Sequence, residues 1–147
     1  QVHQHQGGSL FLGEYYHSID KKGRVAIPAR FRDAFEAGVV LSRGYEKCIN
    51  VYPIGEWNKV AERLGSLPTT QIKVRRINRS TFSNAFQQDL DGQGRVLIPP
   101  QLRDYAQTNG EVIVVGANSY LEIWDKNLWS TERAIVDQEA SQLAESV

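Results

Sequence analysis

The sequence predicts a β-rich α+β domain in which two tandem repeats share one core about a pseudo-twofold axis, and three observations carry that prediction. DKKGRVAIP at residues 20–28 returns as DGQGRVLIP at residues 91–99, an offset of 71. Each copy is followed by a short segment with helical spacing, opened by proline and closed by glycine. Each segment is followed in turn by apolar and alternating runs of strand length.

Sliding residues 11–33 onto 82–104 gives nine identities in 23 positions: Phe11, Asp20, Gly23, Arg24, Val25, Ile27, Pro28, Arg32 and Asp33 recur as Phe82, Asp91, Gly94, Arg95, Val96, Ile98, Pro99, Arg103 and Asp104. With the offset lengthened to 72, Cys48–Tyr52 pairs with Tyr120–Trp124, and Trp57 with Trp129. A repeat of about 48 residues buries too little surface to stand alone, so the two halves should fuse into one domain.

Within each repeat, Asp-x-x-Gly-Arg followed by Val-x-Ile-Pro reads as a tight turn feeding a short strand that proline ends. ARFRDAFEAG after Pro28 places Phe31 and Phe35 four apart and ends at Gly38; the counterpart after Pro99 uses Leu102 and Ala106 and ends at Gly110. Val39–Leu41 and Val112–Val115 read as buried strands, each followed by a turn and the alternating strands that hold Cys48–Tyr52 and Tyr120–Trp124. Trp57, Val60, Ala61 and Leu64 then form the apolar stripe of a helix. A second helix after Pro68 has Ile72 and Ile77 as its apolar residues and clusters Arg75, Arg76 and Arg79 on its solvated face. Val136, Ala140, Leu143 and Val147 make a last stripe, which implies docking on the body or on a neighbour. The resulting divisions are residues 1–10, an appended leader or a disordered tail in which His3 and His5 carry no function; 11–66, the first repeat with its helix; 67–81, a basic linker helix; 82–129, the second repeat; and 130–147, an acidic amphipathic helix. The natural start is expected near Leu10 or Phe11.

Hydrophobic residues make up 41% of the chain and charged residues 23%, so the bulk of it should fold around a real core. Seventeen basic and seventeen acidic side chains cancel, so total charge neither supports nor excludes a nucleic-acid partner. Distribution says more. Residues 20–32 hold Lys21, Lys22, Arg24, Arg30 and Arg32 against Asp20 alone, whereas residues 130–147 hold four acids against Arg133. With the single Cys48 no intrachain disulfide forms, and no apolar run is long enough to span a membrane, so a reducing, cytoplasmic setting is expected. Catalysis finds no support. His17 is the one histidine outside the leader, Cys48 sits in an apparent strand, and no metal-ligand or phosphate-loop spacing occurs, so neither an enzyme nor a cofactor is expected.

The doubled D-x-x-G-R string, with FLGEYYHSID before it, YPIGEW after the first repeat and GANSYLEIWDKNLW closing the second, resembles the MraZ proteins, whose two SpoVT/AbrB-like repeats each carry a D-x-x-x-R loop. The resemblance covers essentially the whole chain from Phe11. It implies a swapped-hairpin β-barrel with short helices, assembled into a ring-shaped homo-oligomer. It also implies a nucleoid-associated transcriptional regulator that binds double-stranded DNA at G-rich direct repeats in the promoter of the division and cell-wall gene cluster.

On that reading Arg24 and Arg95 contact bases, where a guanidinium can bond guanine bidentately for ~1–3 kcal/mol of discrimination. Lys21, Lys22 and Gln93 complete the contact set; the second loop has Gly92 and Gln93 where the first has its lysines, so loop one should carry more of the phosphate attraction. Gly23 and Gly94 let backbone approach phosphate, and Asp20 and Asp91 orient the loops by bracing the guanidinium, capping the turn, or both. Two other readings stand beside this one. The Asp–Arg pairs serve equally as ion pairs that only lock the turn, and AbrB-like antitoxins resemble this fold and bind protein toxins, so an acidic protein partner is the alternative to DNA. Arg30 and Arg32 extend the basic segment, with pairing to Asp33 or Glu36 as the other option. Tyr15, Tyr52, Trp57, Trp124 and Trp129 read as core or interface anchors.

Overall fold

The computed structural model describes residues 10–146. The leader's His3 and His5, and Val147 of the last stripe, lie outside them. The first repeat runs β1 (Glu14–Ser18), β2 (Arg24–Ala26), a 3₁₀ helix (Ala29–Phe35), β3 (Val39–Arg43) and β4 (Ile49–Pro53), and is followed by α1 (Ile54–Gly65) and α2 (Ile72–Phe82). The second runs β5 (Phe86–Gln88), β6 (Arg95–Leu97), α3 (Pro100–Ala106), β7 (Glu111–Gly116) and β8 (Leu121–Asp125), and continues into α4 (Lys126–Ser146).

Every strand pair is antiparallel, and the strands form a six-stranded sheet in the order β1-β7-β8-β4-β3-β5 plus a ribbon of β2 with β6. The first strand of each repeat is exchanged: β1 lies on β7 of the second repeat and β5 on β3 of the first. At the centre of the sheet Asn50 faces Glu122, and at the centre of the ribbon Val25 faces Val96. Both are pairs of repeat-equivalent residues, so the pseudo-twofold axis passes through sheet and ribbon alike. The α+β class and the antiparallel sheet hold. The closed barrel implied by the resemblance is not formed: β1 and β5 end the sheet, and β2 and β6 pair only with each other.

Alternation along the strands builds the core. Val25, Ile27, Val96 and Ile98 from the ribbon, Leu41, Val51, Leu121 and Ile123 from the sheet, and Phe35 and Leu102 from the short helices are all at most 1% exposed. Phe11 closes one end, edge-on to Phe31 and stacked on Phe35 at 5.1 and 5.4 Å. α1 packs on β3 and β4, and α4 on β7 and β8.

Several local expectations need correction. The segment after Pro28 is 3₁₀ rather than α-helical. α3 closes at Gln107, which takes the left-handed conformation (φ 57), not at Gly110. In α2 the inward residue is Val74, 4% exposed, whereas Ile72 and Ile77 are exposed, because the helix docks by one narrow edge. Cys48 is buried but precedes β4, closing the β3–β4 turn by accepting from Gly44 N–H. Phe82, matched to Phe11 in sequence, is exposed at the end of α2, where it packs edge-on to Trp57. The stripe on α4 does not dock on the body: Val136 and Leu143 are exposed. Trp124 is buried, and Tyr15, Tyr52, Trp57 and Trp129 are half-buried among other aromatics.

Candidate nucleic-acid interface

The two D-x-x-G-R loops adopt the same geometry. In the first, one Asp20 carboxylate oxygen accepts from Lys22 N–H at 2.9 Å and Arg24 N–H at 2.8 Å, and the other accepts from Arg24 Nε at 2.8 Å. In the second, Asp91 accepts from Gln93 N–H and Arg95 N–H, each at 2.9 Å, and from Arg95 Nε at 2.8 Å. Gly23 and Gly94 donate back to the aspartate carbonyls from φ values of 85° and 76°, which glycine reaches at little cost. The aspartate thus does both jobs proposed for it, capping the turn and holding the guanidinium. Those bonds favour the charged carboxylate. The Arg95 N–H above all holds Asp91 down at about 2, and the Arg24 N–H likewise lowers Asp20.

The carboxylate occupies only Nε of Arg24, and no other hydrogen bond to that guanidinium occurs among the described residues, so its terminal nitrogens keep donors to spare. Arg95 points the same way, with Nη1 3.8 Å from Asp20 of the opposite loop. The loops therefore sit side by side as one surface. They are also tied through backbone: Ile27 N–H donates to Gly94 O at 2.9 Å and Ile98 N–H to Gly23 O at 2.8 Å, each bond crossing between repeats. Lys21, Lys22 and Gln93 are exposed at the loop tips, whereas Gly23 and Gly94 are buried.

Sequence reading missed what buries those glycines. A Cβ on Gly23 would lie 2.8 Å from Arg103 Nη1, and one on Gly94 would collide with Arg32 Nε. The helix arginine of each repeat thus lies on the loop glycine of the other. Arg32 donates from Nε to Ile27 O at 3.0 Å rather than pairing with Asp33 or Glu36, while Arg103 Nε is buried with no hydrogen-bond partner among the described residues. The signal was present in the identity of Arg32 with Arg103 across the repeats; only the fold shows which loop each one reaches. Arg30 lies apart, donating to the Tyr15 hydroxyl at 3.1 Å. In α2, Arg75 bonds the Thr69 and Thr70 carbonyls, and Arg76 and Arg79 are exposed.

Burial pushes the Cys48 thiol far up, out of the range of a thiolate nucleophile, and burial together with the Arg32 charge lowers His17. Among the described residues no three His, Cys, Asp or Glu side chains converge to hold a metal, and no helix is long and apolar enough to cross a membrane.

Comparison with known proteins matches residues 10–80 and again 81–145 to a family described as "MraZ protein, putative antitoxin-like". Curated relatives named transcriptional regulator MraZ include one from Roseiflexus castenholzii, 43% identical over 94% of this chain and 96% of its own length. A second, from Dehalococcoides mccartyi, is 44% identical over 94% of this chain and 98% of its own length. A third, from Desulfitobacterium hafniense, is 41% identical over 94% and 96%.

Proposed function

The chain belongs to the MraZ family, and on that premise we propose that it is a sequence-specific DNA-binding transcriptional regulator whose two D-x-x-x-R loops read the major groove. The observation that carries this reading is the pairing of the loops. Arg24 and Arg95 emerge side by side from one ribbon, each held at Nε by its own aspartate and each retaining terminal donors. Guanidinium groups fixed in this way lose little freedom on meeting a base edge, and guanine O6 and N7 match their fork.

In this scheme Arg24 and Arg95 read bases, Lys21, Lys22 and Gln93 approach the backbone, and Asp20, Gly23, Asp91 and Gly94 set the loop shape. The targets are G-rich direct repeats in the promoter of the division and cell-wall genes, met by a ring-shaped homo-oligomer in the nucleoid. Several loops on one ring combine weak contacts through effective concentration. A net charge of zero is no obstacle, because the phosphates meet the local field of the cations clustered at residues 20–32 and not the total.

A fluorescence-anisotropy titration tests the reading, with the duplex upstream of the protein's own gene and a shuffled duplex as control. The wild type should bind the first selectively, and the folded Arg24→Ala/Arg95→Ala variant should lose that selectivity. Equal binding by both proteins would leave the arginines with a structural role and favour an acidic protein partner.

A further inference from the structure

One face of the first repeat is open where its counterpart in the second is closed. Between the β3–β4 turn and the α1–α2 pair lies a cleft of about 600 Å³, inside the range of ~300–1,000 Å³ usual for small-molecule sites. Ser42 and Asn50 face each other across β3 and β4 on its floor, on the side of the sheet opposite Leu41 and Val51. They are polar side chains only 6% and 3% exposed. Asn50 spends one amide N–H on the Tyr52 hydroxyl at 3.3 Å, which leaves its other N–H and the Tyr52 hydroxyl proton without a hydrogen bond among the described residues.

The pseudo-twofold does not duplicate this cleft. At the equivalent positions Val115 faces Glu122, Glu122 accepts from Trp124 Nε1 at 2.9 Å, and Trp124, 4% exposed, lies 5.4 Å from Trp129. Paired indoles and an acid thus occupy the second half, and among the described residues no helix follows α4 to stand where α2 stands. In the first half the acid is replaced by an amide and the space is left open.

The lining states what would fit. Arg43 and Arg63 are its charged residues, with no acid beside them, and neither makes an ion pair among the described residues. Arg43 lies over the Tyr105 ring at 4.6 Å, a contact that fixes the plane of its guanidinium. Two unpaired planar forks select an anion, and phosphate matches them best. Trp57, Leu64 and Ile77 form an apolar wall from α1 and α2 and Tyr105 an aromatic one from α3, surfaces on which a planar ring is held. Ser42, Asn50 and Ser80 add neutral polar groups for hydroxyls and a base edge.

We propose that this cleft binds a mononucleotide, with its base on the aromatic walls and its phosphate at Arg43 and Arg63. No residue of either D-x-x-G-R loop lines the cleft, so the site stands or falls independently of DNA.

Isothermal titration calorimetry on the full chain tests this with AMP, GMP, CMP and UMP, and with inorganic phosphate and the four nucleosides as the separated halves. At least one nucleotide should bind saturably at one per chain, and more tightly than phosphate or its own nucleoside. Arg43→Gln/Arg63→Gln should weaken that binding roughly tenfold or more, the loss expected when a charged group gives up its hydrogen bonds. Ser80→Trp, which fills the cleft from an exposed position on α2, should abolish it. Arg76→Gln/Arg79→Gln, which removes exposed cations outside the cleft, and Arg24→Ala/Arg95→Ala in the loops should bind as the wild type does. Circular dichroism checks the fold of each. No saturable binding of any of the four nucleotides, wild-type binding by either cleft variant, or phosphate alone binding as tightly as the nucleotide overturns the proposal.

Discussion

The guanidinium of Arg103 lies against Gly23, and that of its repeat equivalent Arg32 against Gly94, so each loop is shaped partly by the repeat to which it does not belong. The two contacts are not equally forgiving. Arg32 Nε is committed to Ile27 O, whereas Arg103 Nε has no hydrogen-bond partner among the described residues.

Alanine at either glycine should therefore destabilise, and more at the second loop. A left-handed φ costs a non-glycine residue about 1–2 kcal/mol. At Gly23 the added methyl meets the far end of a side chain that can swing aside; at Gly94 it meets Arg32 at an atom whose displacement breaks a hydrogen bond worth ~1 kcal/mol. Urea unfolding of Gly23→Ala and Gly94→Ala should place the second lower in stability. Equal midpoints would mean that the two arginines yield alike.

This cross-repeat packing also marks how far the sequence could be read. The loops were legible because their chemistry is local: an aspartate four residues before an arginine, with glycine between, closes its own turn. Strand and helix order followed from period and from proline, whereas element ends such as Gln107 did not, nor did the 3₁₀ turn after Pro28, where seven residues give no period long enough to separate the two helix types. Pairing across the pseudo-twofold was not legible, because Val25 with Val96 and Asn50 with Glu122 are partners set by topology alone. For the same reason Arg32 was read as one more surface cation, although its closest relationship is with a glycine 62 positions further along.

The aspartates should make the fold acid-sensitive in a defined window. Asp91 sits at about 2 against an ordinary 3.8, and Asp20 is shifted in the same direction. A carboxylate held below its unfolded value stabilises fully above about pH 4 and loses that contribution as pH falls toward 2. Wild-type urea midpoints should drop across that window, and Asp20→Asn/Asp91→Asn, already weaker at pH 7, should drop less, so the two curves converge near pH 2. A gap between them that is constant from pH 7 to pH 2 would show that the carboxylate charge contributes nothing.

Phe11 should prove essential although it precedes the first strand. It is 1% exposed, packs on Phe31 and Phe35, and bridges by backbone to Asn118. Removing such a ring costs about 3–5 kcal/mol, whereas Leu12→Ala, at a position 61% exposed, should stay within about 0.5 kcal/mol. Chemical denaturation of both variants gives the contrast, and a loss under ~1 kcal/mol for Phe11→Ala would place the segment before β1 outside the cooperative core.

The loops should differ most in their response to salt. Both hold their arginine identically, but Lys21 and Lys22 stand exposed where the second loop has Gly92 and Gln93. Each lysine that neutralises a phosphate contributes about 0.9 to the slope of log affinity against log salt. Lys21→Gln/Lys22→Gln should therefore flatten that slope by about 2 per engaged loop while preserving preference for the specific duplex over the shuffled one. Gln93→Ala should leave the slope unchanged, because a neutral side chain releases no counterion. On the proposed reading, in which Arg24 and Arg95 meet base edges, the arginine variants should instead lose the preference itself. If the lysine variant keeps the wild-type slope, loop one is not seated on the phosphate backbone, and the charge difference between the loops has no role in binding.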